Sequence, residues 1–235
     1  MDEDIQAKKN KDAWNNLIKK WKKDIFYDKN NILFNWLLKY GKKSDKILDQ
    51  GTGIGQYAFS AYKFGFKNVV GMDFSEKLIK TAKELNNKLN FKCKFVEGDI
   101  RNMPFKEKSF DIVISGGIIE HVPETEKTIS EISRVLKNKG YLLIHVPHKI
   151  SVFTFLKKIQ QFLRIWKLGY EKSFSIKELS RLFEKYHLKI LEFRIKQFEP
   201  GNHKIIGKII QTLDKPLYKL GYGGHHISFL CQKQI

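Results

Sequence analysis

The sequence predicts a doubly wound α/β fold: a seven-stranded, mostly parallel sheet with an antiparallel edge strand and helices on both faces. Three observations carry this expectation. Five short apolar runs follow one another between residues 46 and 146, separated largely by segments of helical period. Such alternation calls for crossover connections and parallel pairing. The first run, KILD, opens into a turn with glycine at alternate positions, Gly51, Gly53 and Gly55, and then a helix. That layout brings backbone N–H groups up to a ligand. Two late strands add the sixth and seventh members and the antiparallel edge.

Each element has its own signal. The N-terminal segment reads as helical and carries Trp14, Trp21, Phe26 and Tyr27, and a second helix covers Asn31 to Tyr40. Strands are expected at Lys46–Asp49, Asn68–Met72, Cys93–Glu97, Phe110–Ser115 and Tyr141–Val146, with helices at Gln56–Phe64, Glu76–Asn87 and Thr125–Leu136. Gly140 stands where a helix C-cap would lead into the fifth strand. Between Ile150 and Leu168, Val152, Phe155, Leu156, Ile159, Phe162, Leu163 and Trp166 recur at helical spacing. The other face of that helix holds Lys157, Lys158, Gln161, Arg164 and Lys167, with no acid before Glu171. Ser175 is a natural N-cap for a helix over Ile176–Tyr186. Strands Leu188–Lys196 and, after GYGG, His226–Gln232 close the chain. We expect a single domain over residues 1–235. Its parts are an N-terminal helical cap (1–44), a ligand-binding core (45–148), a basic amphipathic helical insertion (149–174) and closing helices and strands (175–235).

Composition bounds the setting. No stretch approaches 18 uninterrupted apolar residues, so no spanning helix is expected. MDEDIQAKKNKD lacks the apolar core of a secretory signal. Cys93 and Cys231 stand far apart without metal spacing, which fits buried strand positions and a reducing, cytoplasmic compartment. The net charge of +19 points to an anionic partner: a nucleic acid, an acidic membrane surface or an acidic substrate. Plain lysine decoration of the surface competes with that. Lysine greatly outnumbers arginine, which weakens the nucleic-acid case because bidentate reading favours Arg.

The chemistry begins at the glycine turn. A dinucleotide fingerprint places its third glycine three residues after the second; here that position is Gln56, a poor fit to a nicotinamide site. Asp73 ends the second strand in VVGMDFS, where a carboxylate can accept both hydroxyls of a ribose. Asp99 follows the third strand in FVEGDI. SFDIVISGGIIEHV supplies a fourth strand, with Asp111 near its start and Ser115–Gly117 at its carboxyl end. Singly, each Asp is an ordinary N-cap or turn former; in this order they read as one site.

With these residues the sequence resembles the class I S-adenosylmethionine-dependent methyltransferases, in particular the small-molecule branch (type 11) that includes quinone-biosynthesis enzymes. The resemblance is tightest from Lys46 to Pro147 and looser through SFSIKELSRLFEKYHLKILEF. It implies a Rossmann-like fold and S-adenosyl-L-methionine as cofactor. It further implies Asp49, Gly51, Thr52, Gly53 and Gly55 along the methionine part, Asp73 on the ribose, and Met72 and Phe74 against adenine. Asp99 and Ile100 would then meet the adenine edge, with Ser115 and Gly116 under the sulfonium. A sulfonium cation with an amino-acid tail and no phosphate suits such carboxylates and backbone carbonyls.

Methyl transfer is an in-line displacement, so alignment supplies most of the catalysis, and a base is needed only where the nucleophile holds its proton well above neutral pH. His121, in IIEHVP after the fourth strand, is the candidate base, and Glu120 the candidate orienter. His148 is a rim residue, and Tyr170 and Glu171 are expected to line the acceptor pocket. His225 and His226 cluster with no further ligand type, so no metal site is read. The chain lacks an Asn/Asp-Pro-Pro-aromatic run after the fourth strand, and neither Cys follows Pro, which disfavours base methylation. The expected function is methyl transfer to oxygen of a small or lipid-like acceptor, with an anionic membrane surface met through residues 150–168. The alternatives are an RNA methyltransferase or a non-catalytic cofactor-binding partner of another subunit.

Overall fold

The computed structural model describes residues 25–27, 30–163, 170–196, 204–219 and 223–235, with side chains of 204–207 left aside. Trp14, Trp21, Arg164, Trp166, Lys167 and Leu168 lie outside these residues.

The chain runs α1 (Ile32–Tyr40), β1 (Lys46–Gln50), α2 (Gln56–Lys63), β2 (Asn68–Asp73), α3 (Glu76–Lys88), β3 (Lys94–Glu97) and β4 (Phe110–Gly116). A 3₁₀ turn (Ile119–His121), α4 (Thr125–Val135), β5 (Leu136–Pro147), α5 (Val152–Phe162), α6 (Ile176–Lys185), β6 (Leu188–Lys196), α7 (Lys204–Lys219) and β7 (His226–Lys233) follow. One seven-stranded sheet results, ordered β3-β2-β1-β4-β5-β7-β6. β1 pairs parallel with β2 and β4, and β4 with β5, whereas β7 runs antiparallel to both β5 and β6. The strand running against the others thus lies one place in from the β6 edge, where it closes the ladders of both neighbours.

Alternation along the strands divides the core into two layers. Leu48, Val70, Val113 and Ile144 join Ile129, Ile132, Leu179 and Phe183 on one face, which α4 and α6 cover. Ile47, Val69, Ile112, Ile114 and Leu143 join Leu33, Phe34, Ala58 and Phe59 on the other, under α1 and α2. Because strand side chains alternate with period two, both faces of each central strand are apolar and buried.

The caps follow the sequence signals. Asn31 accepts from the Phe34 N–H, and Ser175 forms a reciprocal capping box with Glu178. Several expectations are corrected. Helix α4 ends at Val135, and β5 begins at Leu136, which pairs with Phe110. Gly140 therefore lies inside β5 rather than at a helix end. The helix expected over Ile150–Leu168 spans Val152–Phe162 among the described residues. Helix α7 was not read from the sequence at all. Cys93 and Cys231 are both buried. Among the described residues, no helix is long and apolar enough to cross a membrane.

The strand order reverses between β1 and β4. Register pairs Gln50 with Met72 and with Ser115, so the carboxyl ends of β1, β2 and β4 stand level. Open α/β sheets bind ligands in the crevice at such a switch point.

Candidate active site

A cavity of about 470 Å³ opens at that switch point. On the β2/β3 side it is lined by Gly51, Thr52, Gly53, Asp73, Phe74, Asp99, Ile100 and Arg101. On the β5/β7 side the lining is Glu120, His121, Phe153, Glu171, His225 and His226, with Gly116 between the two ends.

The glycine turn is held from below. Gly51 has φ +69° and Gly53 φ +56°, a left-handed geometry that an L side chain adopts only with strain. A Cβ on Gly51 would also meet Ile118 at 2.4 Å. The Asp49 carboxylate accepts from Thr52 Oγ1 at 2.6 Å and from the Ala58 N–H at 3.0 Å. It is fully buried, and burial pushes its carboxyl up to about 7. Asp49 therefore pins the turn to α2 instead of lining the cavity. Asp73 does line it: Oδ2 accepts from the Gly53 N–H at 2.9 Å and Oδ1 from the Ser75 N–H at 3.0 Å. One carboxylate thereby fixes both the turn and the start of α3, and each oxygen keeps acceptor capacity for a hydroxyl.

Not every expected residue arrives. Gly55 and Ser115 are absent from the lining, and Ser115 is buried beneath Gly116. Met72 is fully buried in the core layer, packed near Gly98. Asp99 reaches the cavity, but its carboxylate accepts from the Arg101 N–H at 2.8 Å and from Arg101 Nη2 at 2.7 Å. Arg101 also binds Glu124. His148 is buried away from the cavity, with Nδ1 donating to the Gly223 carbonyl. It anchors the turn before β7 and is not a rim residue. Tyr170 contributes its backbone rather than its ring.

The β5/β7 end has a different character. His121 Nδ1 lies 3.0 Å from the Tyr170 carbonyl. A carbonyl only accepts, so Nδ1 carries the hydrogen and Nε2 the lone pair. Burial lowers the imidazole from its ordinary value, against the opposing pull of the Tyr170 carbonyl and Glu171, and so favours the neutral form. Glu120 is 3% exposed, and its Oε2 has no hydrogen-bond partner. Burial, reinforced by Glu171, pushes its carboxyl up to about 8. The Glu120 carbonyl accepts from the Lys172 N–H, so residues 170–172 are stitched to the 3₁₀ turn at two points. Glu171 pairs with Lys157 at 2.8 Å, and Lys157 also donates to Ser173 at 2.7 Å. Phe153 meets the His225 ring edge-on at 4.2 Å, and His226 stacks on His145 at 4.3 Å.

Sequence reasoning missed Tyr57 and undervalued Tyr27. The two rings pack at 4.3 Å on the cavity wall. A Cβ on Gly116 would strike the Tyr57 ring at 2.6 Å, so glycine there lets β4 approach the aromatic wall. The adjacent aromatics Phe26 and Tyr27 were the one available signal.

The lining fits S-adenosylmethionine better than a phosphate-bearing cofactor. Among the described residues Arg101 is its sole Lys or Arg, already paired with two carboxylates, while an acceptor carboxylate ends β2. Among the described residues, no group of three His, Cys, Asp or Glu could hold a metal ion.

Comparison with known proteins agrees. The family model described as "Methyltransferase domain" matches residues 41–199. Over 222 residues the chain is 30% identical to an uncharacterized protein of Methanocaldococcus jannaschii, covering 86% of this chain and 89% of that one. It is 39% identical over 101 residues to a sterol 24-C-methyltransferase of Pneumocystis carinii, covering 42% of this chain and 27% of that protein. It is 30% identical over 135 residues to the eEF1A lysine and N-terminal methyltransferase of Bos taurus, covering 52% and 19%. The chain thus spans no more than 27% of the length of those last two relatives. Among solved structures, the methyltransferase in complex with the Trm112 methyltransferase activator of Haloferax volcanii aligns with a TM-score of 0.69 and 19% identity. That alignment covers 95% of this chain and 96% of the other, a likeness of fold alone. Family match, strand order and cavity together establish that the chain belongs to the class I S-adenosylmethionine-dependent methyltransferases.

Proposed function

We propose that this protein transfers a methyl group to an oxygen of a small or lipid-like acceptor held at the β5/β7 end of the cavity. The observation that carries this reading is the tautomer of His121, whose Nε2 lone pair belongs to a residue lining that end. The bound cofactor supplies an electrophilic methyl group on sulfur. Asp73 takes the ribose hydroxyls, the turn from Gly51 to Gly53 takes the amino-acid tail, and Phe74 and Ile100 flank the adenine. His121 Nε2 receives the acceptor's proton as the new bond forms, and Tyr27, Tyr57 and Phe153 exclude water.

A lipid-like acceptor is supported by the neighbouring surface. Phe155, Ile159, Phe162 and Leu163 of α5 are exposed, as are Ile209 and Leu213 of α7. The two helices touch where the Val152 N–H donates to Asp214. Lys158, Lys208 and Lys215 are exposed on the same helices. Apolar side chains flanked by lysine suit the boundary of an anionic bilayer. The sterol acceptor of the Pneumocystis relative is of the same general kind.

The test follows S-adenosylhomocysteine release from the purified chain across hydroxylated lipids, amines, carboxylates and transcribed RNA. Release with hydroxylated lipids is expected. Turnover confined to RNA would replace this reading with the one the +19 charge favours.

A further inference from the structure

Among the described residues, the β5/β7 end of the cavity carries no uncompensated charge, although the whole chain is strongly cationic. Glu171 is answered by Lys157 at 2.8 Å, with side chains 9% and 2% exposed. Lys157 has Ser173 as a further acceptor. His121, His225 and His226 are all held neutral by burial. Lys196 pairs in register with His226 across β6 and β7 but does not line the cavity. Glu120 remains, buried, with one carboxyl oxygen satisfied by nothing. Leaving a buried polar atom without a partner is costly, so this oxygen marks a place where a ligand group would fit. A hydroxyl both donates and accepts, and pairs with a carboxyl in either protonation state. A carboxylate would find no unpaired cation among the described residues, and an ammonium could be answered only by ionising Glu120 in a buried site, so either charge would leave water at a cost.

We propose that this end selects an uncharged, hydroxyl-bearing acceptor with an apolar body, and that Glu120 is the residue that receives its hydroxyl. The inference rests on the methyl-transfer reading above and adds to it the head-group chemistry and a contact residue. It also gives Glu120 a part separate from orienting His121, whose ring is already fixed by the Tyr170 carbonyl.

The experiment uses the full chain saturated with S-adenosylhomocysteine, titrated calorimetrically with 1-decanol, decylammonium and decanoate, which share one tail. Decanol is expected to bind at least about tenfold more tightly than either charged probe. Glu120→Ala should remove that preference while S-adenosylhomocysteine affinity persists, which reports an intact fold. Glu120→Gln, neutral and isosteric, should retain it. Decylammonium or decanoate binding as tightly as decanol would overturn the proposal. So would no measurable decanol binding, or Glu120→Ala behaving like the parent. Failure to bind S-adenosylhomocysteine at all would instead strike the methyl-transfer reading.

Discussion

Two residues decide whether the cavity works as described, and each separates one function from another. Asp73 already braces the glycine turn and α3 through Gly53 and Ser75, so its carboxylate is fixed before any ribose arrives. Charge-assisted hydrogen bonds are worth roughly 1.5–3 kcal/mol each. Asp73→Ala should therefore weaken S-adenosylmethionine binding by about ten- to several-hundred-fold; wild-type affinity by calorimetry would remove Asp73 from the site. His121 should act on the other half of the reaction. His121→Ala is expected to lower turnover by about two to four orders of magnitude with cofactor affinity little changed. A variant keeping most of its rate on a hydroxyl acceptor would leave His121 without a part in proton transfer. Asp73 was legible as a cavity residue because it follows the glycine turn and precedes Asp99 in a fixed order at successive strand ends. Asp49 was not: next to last in β1 and level with Gly71, it turns its carboxylate inward to Thr52 and Ala58, and only the tertiary path of the turn decides that.

At the scale of elements, α5 shows where periodicity misleads. Polarity alone placed Lys157 on a basic face, opposite the apolar face of Phe155 and Phe162 that was expected to meet a membrane surface. The structure buries that lysine, at 2% exposed, while Phe155 is 64% and Phe162 86% exposed. The cause is Glu171, which arrives from a separate segment and makes burial of one lysine affordable. A helical pattern cannot register a partner 14 residues away. Helix α7 escaped notice because Gly207 and Pro216 interrupt its apolar spacing. Two consequences separate the faces of α5. Removing the buried ammonium by Lys157→Ala leaves Glu171 unpaired, and losing one member of a buried pair costs about 3–5 kcal/mol; a midpoint of denaturant unfolding like the parent's would show the pair to be of no consequence. Exposed-face changes should spare stability and act on membranes. Phe155→Ser with Phe162→Ser, or Lys158→Glu, should reduce co-sedimentation with anionic vesicles, which should also fall with added salt. Equal sedimentation with and without vesicles at low salt would leave this face without a membrane role.

Over the whole molecule, the seven strands and their mostly parallel pairing were readable because both faces of β1, β2, β4 and β5 are buried and helical segments alternate with them. The distribution of charge was not, since a net value says nothing of where each lysine stands. The outside is cationic, while the cavity and the strand ends hold titratable groups kept neutral by burial, and that contrast fixes how stability responds to pH. Asp49 and Glu120 have folded values raised to about 7 and about 8, above their unfolded values near 4. Their burial therefore costs nothing below about pH 4, and stability is lost progressively as pH rises from there to about 8. The histidines act in the opposite sense. His145 is lowered to about 4 and His225 to about 3, below the unfolded value near 6.5, so stability is lost as pH falls through that window. Thermal stability should accordingly peak in weakly acidic solution and decline on both sides. Glu120→Gln removes one contributor to the alkaline limb only. Its melting temperature should gain on the parent steadily between pH 5 and 8, with the acid limb unchanged, because each unit of displaced pKa is worth about 1.4 kcal/mol. Melting curves of the two proteins that run parallel across that range would mean that Glu120 ionises at an ordinary pH and takes no part in the alkaline limb.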